Sequence, residues 1–220
     1  MKLKKIASLA LAGIMAVSML AGCKDGTNQE DPSSSSQVPT TANVVTYAND
    51  ALTGAQKNAY TFHDNSALNQ ALQAVATDKN KCTAKKIEDA YTKYEWLIQD
   101  SDLRADVKGK LDGGLTFQDD YYTFDDASVP ANNGKTLNYI EVSLLSGELS
   151  EKAVAEIAAK YFAKYMSDLA NGATVGTDKY ALSYSADISA IKVESPQNSA
   201  KTAWVVAVMI TKTATQQVNA

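Results

Sequence analysis

Residues 203–210 read Ala-Trp-Val-Val-Ala-Val-Met-Ile, apolar at odd and even positions alike. Successive side chains of a strand point to opposite faces, so a strand with one wetted face shows polar residues at every second position. This run shows none. It is also far shorter than the roughly 20 residues of a membrane-crossing helix. It therefore predicts a central strand covered on both sides, and the rest of the chain must supply the covering layers.

The clearest covering element is a helix in which Val154, Ile157, Ala158, Tyr161, Tyr165 and Leu169 form one continuous apolar face. Ser150 suits the N-cap, Leu149 can pack on Val154 as a hydrophobic staple, and Asn171-Gly172 is the expected stop. Three more helical stretches lie upstream. Residues 44–58 carry Val44, Ala48, Ala51, Leu52 and Ala55 at one-face spacing, interrupted by Gly54. A second stretch opens near Asp64 as N-cap and aligns Leu68, Leu72 and Val75. A third opens at Thr83 and aligns Ile87, Tyr91, Tyr94 and Ile98, with Leu97 beside them; residues 102–111 extend it or form a short turn of their own before Gly113-Gly114.

Strand patterns follow. Residues 115–124 and 136–145 are rich in aromatic and β-branched side chains, and Pro130 and Asn132-Asn133-Gly134 mark the loop between them. A second pair, 180–193 and 202–213, flanks Ser195-Pro196-Gln197-Asn198. The expected class is α+β: N-terminal helices, then a four-stranded, mostly antiparallel sheet in the order strand-strand-helix-strand-strand, with the long amphipathic helix packed on it. Two strands shift phase. Tyr180, Leu182 and Tyr184 give way to Ile191 and Val193, and Leu115, Phe117 and Tyr121 to Tyr122 and Phe124. Such a shift predicts a β-bulge or a strand bending into a second layer.

The N-terminus has a different character. Lys2, Lys4 and Lys5 precede an uncharged apolar run over residues 6–20, and Ala21 and Gly22 stand directly before Cys23. The run is too short for a stable span and reads as the apolar part of a secretory signal. Leu20-Ala21-Gly22-Cys23 resembles the lipobox of bacterial lipoproteins at every position. The resemblance implies transfer of diacylglycerol to the Cys23 thiol, cleavage before it, and often acylation of the new amino terminus. Two or three acyl chains anchor a protein stably where one does not. The expected location is the outer face of the cytoplasmic membrane, or an outer membrane where the source has one, with membrane lipid as the partner of acylated Cys23.

Residues 23–42 then form a Ser/Thr/Pro-rich tether, too polar to bury a core. Its random-coil reach is about 25 Å. The expected organisation is a signal peptide over 1–22, the lipidated tether over 23–42, a helical segment over 43–112 and an α+β core over 113–220. Residues 43–220 are expected to make one compact domain.

Charge narrows the function. The chain has 21 Lys+Arg against 25 Asp+Glu; removing residues 1–22 takes Lys2, Lys4 and Lys5, leaving 18 against 25, or −7. Arg104 is the only arginine. Nucleic acid, which is held through basic patches, is not an expected partner. With Cys23 consumed by lipid, Cys82 is left unpaired and reads as a small structural residue.

Catalytic patterns are sparse. His63 is the only histidine, which excludes a two-histidine zinc site. Ser189 and Lys192 match an S-x-x-K string, but in a strand pattern they point to opposite faces. Asp119, Asp120, Asp125 and Asp126 surround Tyr121-Tyr122 and are weak candidates for calcium, a hard ion that takes oxygen ligands. No nucleotide-binding glycine motif or nucleophile elbow occurs, so no cofactor is implied. Eleven tyrosines and two tryptophans offer platforms for a glycan or peptide, or simply half-buried packing. The expected function is a non-enzymatic binding or scaffolding domain in the cell envelope, with an envelope protein or glycan as partner. The alternatives are an envelope hydrolase working through carboxylates and a glycan- or peptide-binding module.

Overall fold

The computed structural model describes residues 41–93, 97–111, 113–119, 136–166 and 169–217. Among them are six helices: α1 (Thr41–Ala51), α2 (Gly54–Ala59), α3 (Ser66–Ala76), α4 (Ala84–Thr92), α5 (Ser101–Lys110) and α6 (Glu151–Met166). Six strands accompany them: β1 (Phe62–His63), β2 (Ile98–Gln99), β3 (Thr136–Ser146), β4 (Gly172–Val175), β5 (Asp178–Glu194) and β6 (Thr202–Gln216). They form one sheet in the order β1-β5-β6-β3-β2, with β4 also paired to β5. Every pairing is antiparallel except that of β1 with β5.

The strand that predicted two covered faces has them. On one face Trp204, Val206, Val208 and Ile210 meet Tyr139 and Leu145 of β3 and Ala186, Ile188 and Ala190 of β5. That face is closed by Val44 and Ala48 of α1 and by Val154, Ala158 and Phe162 of α6. On the other, Ala203, Val205, Ala207 and Met209 pack with Ile140, Val142 and Leu144 under Leu68 and Leu72 of α3, Ile87 of α4 and Leu103 and Val107 of α5. Each large side chain buried in either layer contributes about 1.5–3 kcal/mol. The region 43–112 is thus the cover of one sheet face and part of the other.

Local signals set most helix starts. Ser150 Oγ accepts from the Ala153 N–H, and Leu149 and Val154 are buried in the same core. Thr83 caps α4 through the Lys86 N–H. Asn65, not Asp64, caps α3, accepting from the Ala67 and Leu68 N–H groups, while Asp64 accepts from the Asn69 side chain. The stretch expected over 44–58 is two helices, because Thr53 and Gln56 form a reciprocal capping box that starts α2. The stretch expected to run to Ile98 ends at Thr92, and Ile98 lies in β2. Residues 101–110 make a separate helix because Asp100 caps it.

The sheet has six strands where four are expected. β1 and β2 are two residues long, below the length at which alternation shows, and β4 begins at the glycine expected only to stop a helix. Among the described residues of the expected strand over 115–124, only Phe117 pairs, as a single parallel bridge to Asn138; residues 120–124 lie outside them. The phase shift in β5 is not a bulge. Its register with β6 runs one-to-one from Tyr180↔Gln216 to Glu194↔Thr202. Tyr184 and Ile188 lie on one face and Ile191 and Val193 on the other because both faces are helix-covered.

Among the described residues no helix is long and apolar enough to cross a membrane. Cys82 is unpaired and buried, and burial pushes its thiol up to about 11, with Asp100 adding to the effect and Lys86 opposing it. A free thiol ionises near 8.5. Native Cys82 is therefore expected to react with a disulfide reagent at least about 100-fold more slowly than in urea, since the thiolate is the nucleophile. Peptide mass reads Cys82 alone; comparable rates in the two states would show that the thiol is open to solvent.

Candidate functional site

The residues singled out by sequence do not assemble. His63 is exposed on β1, its Nε2 3.1 Å from Thr61 Oγ1. Its neighbour in register is Asp187, which accepts from Asn65 Nδ2 at 2.9 Å. Burial raises the Asp187 carboxyl, against the opposing pull of the Asn65 bond and of His63. Ser189 is buried in β5 with its Oγ unpaired, and Lys192 falls on the opposite parity. Asp119 is held by Lys108, while Asp120, Asp125, Asp126 and Cys23 lie outside the described residues. Among the described residues no three His, Cys, Asp or Glu side chains gather as metal ligands would.

A different place has the form of a site. An open cleft of about 480 Å³ runs between α5 and the segment 113–119. One wall is the α5 stripe Ser101, Arg104, Ala105 and Lys108, and Leu115, Phe117, Gln118 and Asp119 form the other over Ile140. Both walls are held firmly. α5 is pinned at its start, where Lys86 Nζ lies 2.6 Å from the Asp100 carboxylate and the Asp100 N–H donates to Val142 O at 2.9 Å.

The second wall hangs on Asn138, which is 1% exposed. Its N–H donates to Thr116 O and its carbonyl accepts from the Gln118 N–H, each at 2.8 Å. Its side-chain amide donates to Thr116 O at 3.1 Å and accepts from Thr211 Oγ1 at 2.8 Å. Buried polar groups are almost always paired, and here the pairing holds a loop against a sheet edge.

The electrostatics of the cleft come from two ion pairs. Arg104 Nη1 is 3.5 Å from Glu141 Oε2, a carboxylate only 3% exposed that also accepts from the Tyr139 hydroxyl at 2.8 Å. Burial raises the Glu141 carboxyl, while the Tyr139 bond and the Arg104 charge act against it. Tyr139 is itself pushed up, by burial first and then by Glu141. At the rim, Lys108 Nζ bonds the Asp119 carboxylate and lies 5.6 Å from the Phe117 ring centroid. That bond and the lysine charge hold Asp119 below the usual carboxylate range.

Chemically the cleft presents two cations one helical turn apart above an apolar floor. Sequence reasoning picked out Arg104 only for its scarcity and passed over Lys108, Asn138 and Glu141. The signal available was polarity: Asn138 and Glu141 interrupt the apolar run Leu137 to Leu145. Comparison with protein-family models, with curated proteins and with solved structures finds no match to this chain.

Proposed function

We propose that this chain is a lipid-anchored protein of the cell envelope whose domain binds a small ligand in the α5 cleft without transforming it. The cleft carries the binding half of the reading: a concave site with an apolar floor and a few convergent polar groups is the usual form of a small-molecule site. Its described lining supports binding over catalysis. Ser101 is the one hydroxyl there, no imidazole or thiol accompanies it, and Asp119 is taken up by Lys108. Most glycoside hydrolases use two acids that flank one bond. Glu141 is buried and paired with Arg104.

The anchoring half rests on the lipobox-like residues at 20–23 and the polar tether behind them. Growth with a labelled fatty acid is expected to mark the wild-type chain in the membrane fraction. Cys23→Ser should leave an unprocessed, unlabelled precursor. Equal labelling of the serine variant would defeat the anchor. For the binding half, small acids, amides and amines are titrated into the full chain while amide resonances are followed; a cleft whose signals move with none of them is not a binding surface.

A further inference from the structure

Resting on that reading of the α5 cleft, we propose that its ligand is a small carboxylic acid with an apolar body. The carboxylate is taken by Lys108 and Arg104, and the body lies on Phe117 and Ile140. The chain is acidic overall, at −4, yet the α5 wall of this cleft carries two cations, four residues apart and so on one helix face. Each is met by one acid, Arg104 by Glu141 and Lys108 by Asp119, so an anion enters this wall by taking the place of Asp119. A guanidinium has five donors in a planar fork, and Arg104, whose side chain is 29% exposed, meets Glu141 through Nη1 at 3.5 Å.

Asp119 shows where the ligand carboxylate sits. Its own carboxylate rests on Lys108 beside the Phe117 ring, with the side chain 86% exposed. An exposed pair of this kind contributes little to stability and is exchanged readily for a competing carboxylate. Asp119 therefore occupies the anion position of the free protein and yields it to a ligand that adds apolar contact with Phe117, Leu115 and Ile140. The cleft volume, about 480 Å³, lies within the roughly 300–1,000 Å³ typical of small-molecule sites. That size favours a compact acid over a polymer.

The test uses the full chain in mild detergent, titrated with phenylacetate, its neutral isostere phenylacetamide and the cation benzylamine. Amide resonances of Phe117, Gln118 and Ile140 report binding. Phenylacetate is expected to bind at least about 10-fold more tightly than phenylacetamide, because a charge-assisted bond exceeds a neutral one. Added salt should weaken phenylacetate binding and leave phenylacetamide unaffected.

Lys108→Gln should cost about 10-fold for phenylacetate, whereas Asp119→Asn should tighten it by about 3-fold by removing the internal competitor. Both residues are on the surface, so neither variant is expected to unfold. Phenylacetamide or benzylamine binding as well as the acid, at the same amides, overturns the carboxylate assignment and leaves the cleft as a binding surface. Weaker or unchanged phenylacetate binding in Asp119→Asn overturns the displacement. Cleft signals unmoved by all three probes overturn both the ligand class and the functional reading beneath it.

Discussion

Gly147→Ala is expected to lower the thermal midpoint by about 6–12 °C, the effect of about 3 kcal/mol on a chain of this size. Gly147 follows the last residue of β3, and its N–H donates to Thr202 O at 2.9 Å, fastening the β3–α6 turn to the start of β6. A methyl group there would lie 2.0 Å from Thr202 Oγ1 and 2.5 Å from both Thr202 Cβ and the Thr202 carbonyl carbon. Oγ1 could turn away by rotation about Cα–Cβ, but Cβ and the backbone carbon cannot. The strand must therefore shift, and it carries with it the bond from Trp204 Nε1 to Leu149 O at 3.0 Å. Thr202→Ala should consequently recover only a minor part of the loss in the double variant. A calorimetric midpoint within about 2 °C of wild type for the single variant, below the effect of one kcal/mol, or full recovery in the double, would mean that the two backbones are not in such close approach.

This turn is also a place where sequence and structure diverge in an instructive way. Leu149, Ser150 and Val154 announce a helix start because capping and stapling act within a few residues. The need for glycine at 147 comes from Thr202, a neighbour in space and not in sequence. The same division runs through the fold. β6 was legible as a doubly covered strand because the information lies in its own two parities, and α6 because its apolar residues repeat, although Ala155 and Phe162 take the core where Ile157 and Tyr161 are only partly buried. β1 and β2 have two residues each and exist only because β5 and β3 offer partners. The phase shift in β5 was visible but misread: helices cover both faces, so apolar residues of either parity are buried without an extra residue in the register.

The cleft was less legible than the fold for the same reason. Asn138 builds a wall by reaching Thr116 on one side and Thr211 on the other, and neither distance along the chain carries a pattern. A polar residue amid Leu137, Tyr139 and Ile140 was a sign that something is paired there, without saying what. The four aspartates drew attention because they cluster in sequence. Asp119, the one among the described residues, instead answers to Lys108 on another element.

Arg104→Met is expected to cost about 3 kcal/mol at pH 8, toward the low end for breaking a buried pair because Arg104 is itself 29% exposed, and distinctly less at pH 5. The sign follows from Glu141. Burial raises its carboxyl in the folded protein, against the lowering influence of Tyr139 and Arg104. In the unfolded chain a glutamate ionises near about 4.3. Between those two values the folded state holds the extra proton, so stability falls as pH rises through the window.

Removing Arg104 withdraws one of the lowering influences, lifts the folded carboxyl further and extends the loss to higher pH. Below the unfolded value both proteins carry a neutral Glu141 and the gap between them is smallest. The raised carboxyl of Asp187 contributes with the same sign in both and cancels in the difference. Glu141→Gln retains an acceptor for the Tyr139 hydroxyl while abolishing the charge. Adding it to Arg104→Met should therefore recover most of the loss at pH 8 and remove the pH dependence of the gap. Urea unfolding at pH 5 and pH 8 of the four proteins reads the cycle directly. A gap of equal size at the two pH values, or a double variant no more stable than Arg104→Met, would show that Arg104 holds its place by packing and not by balancing the buried charge of Glu141.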